Sequence, residues 1–146
     1  MTKSLMLALA TALVLPAAAQ AKGEHPAYLH ALTDLRHARA QIESRGASSG
    51  KMFKDEEVAI HEIDEAIREI KAASIDDGKN LNDHPPVDLK MDRAGKLHRA
   101  EELLHKTHDD VGREEDHAEV RGLRDRALRH IAEAWHATQR AIQASK

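Results

Sequence analysis

Residues 91–111 read MDRAGKLHRAEELLHKTHDDV. Leu97, Ala100, Leu104, Thr107 and Val111 recur there at alternating steps of four and three. An α-helix turns once in about 3.6 residues, so these positions fall on one face and form an apolar stripe. The residues between them are charged or histidine. The spacing predicts an amphipathic helix over about 91–111, with Gly112 as its stop.

The same reading extends in both directions. Upstream, Tyr28, Ala31, Leu32, Leu35, Ala38 and Ile42 predict a helix from Pro26 to about Ser44. Arg45-Gly46-Ala47-Ser48-Ser49-Gly50 reads as a turn. A short connection of this kind joins antiparallel neighbours. Ala59, Ile60, Ile63, Ala66, Ile67 and Ile70 predict a second helix from about Lys54 to Ser74, with Asp55, Glu56 and Glu57 at the positive end of its dipole. Downstream, Val120, Leu123, Ala127, Ile131, Ala134, Thr138 and Ala141 predict a fourth helix over about 114–144. Residues 75–89 are rich in Asp, Asn, Gly and Pro and read as one long connection between two helical hairpins. Four amphipathic helices sharing one core make an all-α four-helix bundle. A looser helical array or a dimer of hairpins would satisfy the same pattern, and the oligomeric state is not legible.

The N-terminus reads differently. Lys3 precedes an uncharged apolar run over residues 5–15, broken by Pro16 and followed by Ala19-Gln20-Ala21. A positive start, a short apolar core and a small-x-small exit are the features of a secretory signal peptide. The run is well short of the roughly 20 residues that span a bilayer, so no stable membrane insertion is expected. Residues 1–21 are read as the leader, and residues 22–146 as a single bundle domain in the periplasm or outside the cell.

Composition narrows the chemistry. The chain has no cysteine, which removes disulfides, thiolate ligands and covalently attached haem. Without the leader, 21 basic side chains face 25 acidic ones, a net charge of −4. With no basic tract and only Tyr28, Phe53 and Trp135 as aromatics, nucleic acid is excluded as a partner. Histidine is over-represented, with 11 residues, all downstream of the leader. Imidazole ordinarily titrates near about 6.5, so acidification would swing the charge strongly positive, which makes pH sensing one reading.

Metal binding is the other. Side chains three or four apart on a helix point the same way and supply two ligands without extra chain ordering. His98, Glu101, His105 and His108 follow steps of three, four and three, with Glu102 alongside. A helical wheel puts Glu101 and His108 near the core side of that helix, and His98 and His105 at its boundary. His30, Asp34 and His37 repeat the pattern His-x-x-x-acid-Leu-x-His found at 98–105, and the wheel points them away from their own apolar stripe into solvent. His130, Glu133 and His136 form a further set, with His130 nearer the core. Glu57–His61, Asp83–His84 and Glu114–His117 add pairs. Nitrogen and oxygen ligands without sulfur suit Cu(II) or Zn(II) rather than Cu(I).

Two catalytic alternatives are less well served. Glu102–His105, Glu114–His117 and Glu133–His136 have the Glu-x-x-His spacing of carboxylate-bridged di-iron bundles, but the wheel turns Glu133 and His136 outward. His108 or His130 would be the candidates for an axial haem ligand.

With its leader, lack of cysteine and His-and-acid helices at 28–44, 97–117 and 130–136, the chain resembles the small histidine-rich periplasmic metal-binding helical-bundle proteins. The resemblance implies a metal buffer or chaperone with no enzymatic activity. His25-Pro26-Ala27-Tyr28-Leu29-His30 and Ile75-Asp76-Asp77-Gly78-Lys79 resemble signatures of an uncharacterised secreted family, to which no activity attaches. The competing expectation is an envelope protein that recognises a macromolecular partner through loop 75–89, since long loops are often functional.

Overall fold

Pro26 opens helix α1 (Pro26–Ser49) at the position where its missing N–H costs nothing. In the computed structural model, α2 is Lys54–Ala73, α3 is Arg93–Arg113 and α4 is Arg121–Ala144. The structure describes residues 26–49, 52–75, 80–82, 85–114 and 120–146. The leader reading, His25, the Asp76-Asp77-Gly78 signature, the Asp83–His84 pair and His117 lie outside the described residues.

Local chemistry starts and stops the helices. Asp92 caps α3, its Oδ1 accepting from the Gly95 N–H at 2.6 Å. At α2 the Phe53 N–H donates to Glu56 Oε2 at 2.9 Å, which satisfies an amide that the helix leaves over. Two boundaries differ from expectation. α1 continues past Ser44 to Ser49, because Arg45 is drawn into a buried pair with Glu56 that rewards another helical turn. α4 begins at Arg121 rather than Glu114, and Glu114 closes α3 instead.

Cross-helix pairs set the directions. Arg45–Glu56 and Arg39–Asp64 run α1 against α2. Arg140–Asp55, His130–Glu62 and Arg126–Glu69 run α2 against α4. Gln139 Nε2 donates to Glu101, and Arg124 Nη1 to the Glu114 carbonyl, so α3 opposes α4. Lys106 meets Asp34 while Arg99 and Leu103 lie near His37 and Gln41, so α1 opposes α3. Each helix touches two neighbours, and the order around the bundle is α1, α2, α4, α3. α2 and α3 are therefore diagonal and parallel, an up-down-down-up arrangement with one long crossover.

The broadest interfaces join the hairpins rather than close them: α2 against α4, and α1 against α3. The sequence supplies a reason. Ala59, Ala66 and Ala73 repeat every seventh residue on α2, and Ala127, Ala134 and Ala141 do so on α4, all buried. Small side chains at a heptad position let two helices approach closely. Ile63, Ile70 and Ile131, between those alanines, fill the core beside them.

The crossover, residues 74–92, must return the full length of the bundle. A 21-residue helix is about 30 Å long, and extended chain covers about 3.3 Å per residue, so the segment has ample reach. Side chains of α1 and α2 tie it down through its backbone and polar groups. Arg36 donates to the Leu81 carbonyl, Gln41 Nε2 to the Asp88 carbonyl at 2.6 Å, and Lys71 Nζ to Asn82 Oδ1 at 2.6 Å.

One of the α2–α4 pairs carries a pH dependence. The hydrogen bond from Arg126 Nε, at 2.9 Å, holds the Glu69 carboxyl below its ordinary value, against the opposing pull of burial. Because the folded value is the lower one, this stabilisation is complete above about pH 4.5 and is lost as pH falls through the folded value. The stability gap between wild type and Glu69→Gln is expected to close on acidification below that point, as followed by thermal unfolding. A gap that stays constant into acid would show that the bond does not couple to folding.

Candidate functional site

The outer face of α3, with the adjoining edge of α4, holds the densest set of histidines. His98 Nδ1 lies 3.6 Å from Glu101 Oε2. Glu101 also accepts from Gln139 Nε2 of α4 at 3.0 Å, which fixes its carboxylate at the α3–α4 seam. One turn on, Asp109 stands between two imidazoles. Its Oδ2 is 4.0 Å from His105 Nδ1, and its Oδ1 is 3.9 Å from His108 Nδ1. Side-chain exposures of 55% for His105, 39% for His108 and 44% for Asp109 leave all three reachable from water. The His105 ring meets Trp135 edge-on at 4.8 Å, and Trp135 stacks on His136 at 5.8 Å. α4 thus supplies an aromatic backstop to the α3 histidines.

Other predicted ligands go elsewhere. His130 Nδ1 pairs with Glu62 Oε2 of α2 at 2.6 Å rather than with Glu133, which is exposed. His30 is exposed. The expectation that the α1 set faces solvent is corrected for two of its members. The Asp34 carboxylate is only 16% exposed and accepts from Lys106 Nζ at 2.6 Å. That bond, followed by the one to Asp110, raises the Lys106 ammonium above its usual value despite burial. His37 faces a cavity under the crossover, and its Nε2 is buried. A wheel drawn on α1 alone places both outside, because it contains neither α3 nor the crossover that cover that flank.

His108 and His130 sit at the bundle surface and edge, not in the apolar core where a haem would lie. Glu102 and Glu133 of the Glu-x-x-His pairs are exposed, so neither contributes to an inward di-iron set. Among the described residues, no three His, Asp or Glu side chains already converge as a ready metal site. No described helix is long and apolar enough to cross a membrane.

Comparison with other proteins adds nothing further. No protein family, curated protein or solved structure matches this chain. The likeness to histidine-rich periplasmic bundles is therefore one of composition, and the functional reading rests on the geometry of the residues.

Two carboxylate partners of the candidate histidines were not among the residues read from the sequence. Asp109 is within reach of a helical period, four residues after His105 and one after His108, but it lies outside the stripe of alternating His and Glu. Glu62 is not within such reach, because its partner lies 68 residues away in sequence.

Proposed function

We propose that this protein is an exported, non-enzymatic binder of divalent transition metal, Cu(II) or Zn(II), acting as a buffer or chaperone through the outer face of α3. The observation that carries the reading is Asp109 flanked by His105 and His108. Metal–nitrogen bonds of about 2.0 Å in tetrahedral geometry put neighbouring ligands about 3.3 Å apart. The observed 3.9 and 4.0 Å separations are longer by about 0.6 and 0.7 Å. Three partly exposed side chains on one helix can close that gap by small rotamer changes. Such a site forms on binding rather than waiting preformed, which suits a buffer that must also release its ion. His98 and Glu101 offer a second pair one turn away.

Trp135, the single tryptophan, gives a direct readout, because its ring touches His105. Cu(II) at His105 is expected to quench Trp135 fluorescence saturably, in untagged protein at pH about 7.5, and to lose that effect in acid, where protons compete with the metal for its ligand atoms. His105→Ala combined with His108→Ala should weaken binding by at least about tenfold, read in parallel by calorimetry with Cu(II) and Zn(II). Unchanged binding by the double variant would overturn the site.

A second reading has one observation in its favour. Ile75, Leu89 and Met91 expose 73%, 39% and 48% of their surface, and all three lie in the crossover. Exposed apolar side chains on a long connection suit docking to an envelope protein. Reproducible capture of one envelope protein, lost when all three become serine, would support it, and no reproducible capture would remove it.

A further inference from the structure

The imidazole and carboxylate stripe of α3 is symmetric along the helix. Ala94, His98, Glu101, His105, His108 and Gly112 follow steps of four, three, four, three and four. At about 100° per residue, all six fall within an arc of about 80°. The steps read the same from either end, and positions 98 and 108, like 101 and 105, are equidistant from Leu103. A second copy of α3, laid antiparallel about a two-fold axis at the level of Leu103, therefore sets Glu101 of each chain opposite His105 of the other. The same axis sets His98 opposite His108.

The stripe is open to such a neighbour. His98 and His105 are exposed, as are Ala94 and Gly112 at its two ends. Small residues at the ends let two helix backbones approach. Within each chain the donors already stand in pairs. His98 Nδ1 is 3.6 Å from Glu101 Oε2, about 0.3 Å more than the spacing of neighbouring ligands on a tetrahedral ion. Glu101 Oε1 accepts from Gln139 Nε2, which leaves Oε2 for the ion.

Coordination number supplies the reason to pair. A closed tetrahedral Zn(II) site takes four protein donors. On one chain, His98 and Glu101 supply two, and His105, His108 and Asp109 at most three. An ion on a single copy thus keeps an open position. Two copies fill it, because a pair from each chain makes a shell of three imidazoles and one carboxylate. Without the ion little holds the copies together: the stripe carries no large apolar side chain, and chains each of net charge −4 repel.

We propose that divalent metal joins two copies of this chain through antiparallel α3 helices, each ion held by His98 and Glu101 of one copy and by His105 and His108 of the other. Symmetry gives two such sites, one ion per chain. The inference rests on the metal-binding role proposed for α3 and names what completes the shell there.

The test uses the untagged mature chain, with mass read by light scattering after size exclusion. The mass should be that of one chain in chelator, double with one Zn(II) per chain, and fall back when chelator is restored. Two variants separate a shared shell from a single-chain one. His98→Ala with Glu101→Ala removes one half of every shell, and His105→Ala with His108→Ala removes the other. Each variant alone should stay at one chain in saturating Zn(II). An equimolar mixture of the two should recover the doubled mass, because one of its two sites is then complete. All four positions lie outside the core, and circular dichroism checks that each variant remains helical. A wild-type mass that stays at one chain while Cu(II) quenches Trp135 saturably would overturn the dimer and leave the buffer reading intact. Binding of neither Cu(II) nor Zn(II) would overturn both. A mass beyond two chains, or a mixture without recovery, would overturn the proposal equally.

Discussion

Replacing Glu56 with alanine is expected to cost about 3–5 kcal/mol of folding stability, the usual result of removing one partner of a buried ion pair. Glu56 is fully buried and forms a salt bridge with Arg45, whose side chain is 5% exposed. The Arg45 guanidinium also lies over the Phe53 ring, 5.6 Å from its centroid. Burial pushes the Arg45 guanidinium below its usual pKa, and the nearby charge of Arg93 pushes the same way. Arginine nonetheless keeps its charge at neutral pH. Glu56→Ala would leave that charge in the α1–α2 turn with Arg93 unopposed beside it, and would strip the Phe53 N–H of its acceptor.

Small domains hold about 5–15 kcal/mol in total, so this one change removes about a fifth or more. In urea unfolding followed by circular dichroism, the midpoint should fall by about 2 M, with the slope little changed. The double change Arg45→Met with Glu56→Leu should recover much of the loss, because apolar isosteres carry no desolvation penalty. A Glu56→Ala loss below about 1 kcal/mol would mean that water reaches Arg45 in solution.

Truncating Leu104 to alanine is expected to cost about 2–5 kcal/mol. Leu104 is completely buried in the shared core. A close-packed core relaxes only in part around a truncated side chain, so a cavity term adds to the lost burial. A loss of that size lowers the melting temperature by about 10–20 °C in a domain of this length. Leu89→Ala is the matched control: Leu89 lies on the crossover at 39% exposure, and its truncation should stay within about 0.5 kcal/mol. Equal losses at both positions would indicate that the crossover packs more firmly than its exposure implies.

The residues that report the helices were all legible beforehand. Leu97, Ala100, Leu104, Thr107 and Val111 share one face in the sequence and are at most 1% exposed in the fold. Even Thr107 and Thr138, polar on paper, sit in the core, because each hydroxyl donates to the carbonyl four residues back at 2.8 Å. The outward position of His136 also followed from the period alone. His98 and His105, expected at the core boundary, are instead exposed, and His108, expected near the core side, is 39% exposed. The α1 set fared differently. Asp34 and His37 lie off the apolar stripe of α1, yet one is bound to Lys106 and the other faces the cavity.

By itself, then, the sequence determined the number of helices, their inward faces and the concentration of imidazole and carboxylate on α3. These depend on side-chain spacing along about 20 residues, which local geometry converts directly into a face. Only the tertiary structure decided the order around the bundle, the pairing of α2 with α4, the return of the crossover over α1 and the chemistry beneath it. Those outcomes rest on contacts such as His130–Glu62 and Gln41–Asp88, between residues 68 and 47 positions apart. No helical period encodes which distant segment a face will meet. That choice falls to the combined fit of small alanine surfaces, complementary charges and a connection long enough to span the fold.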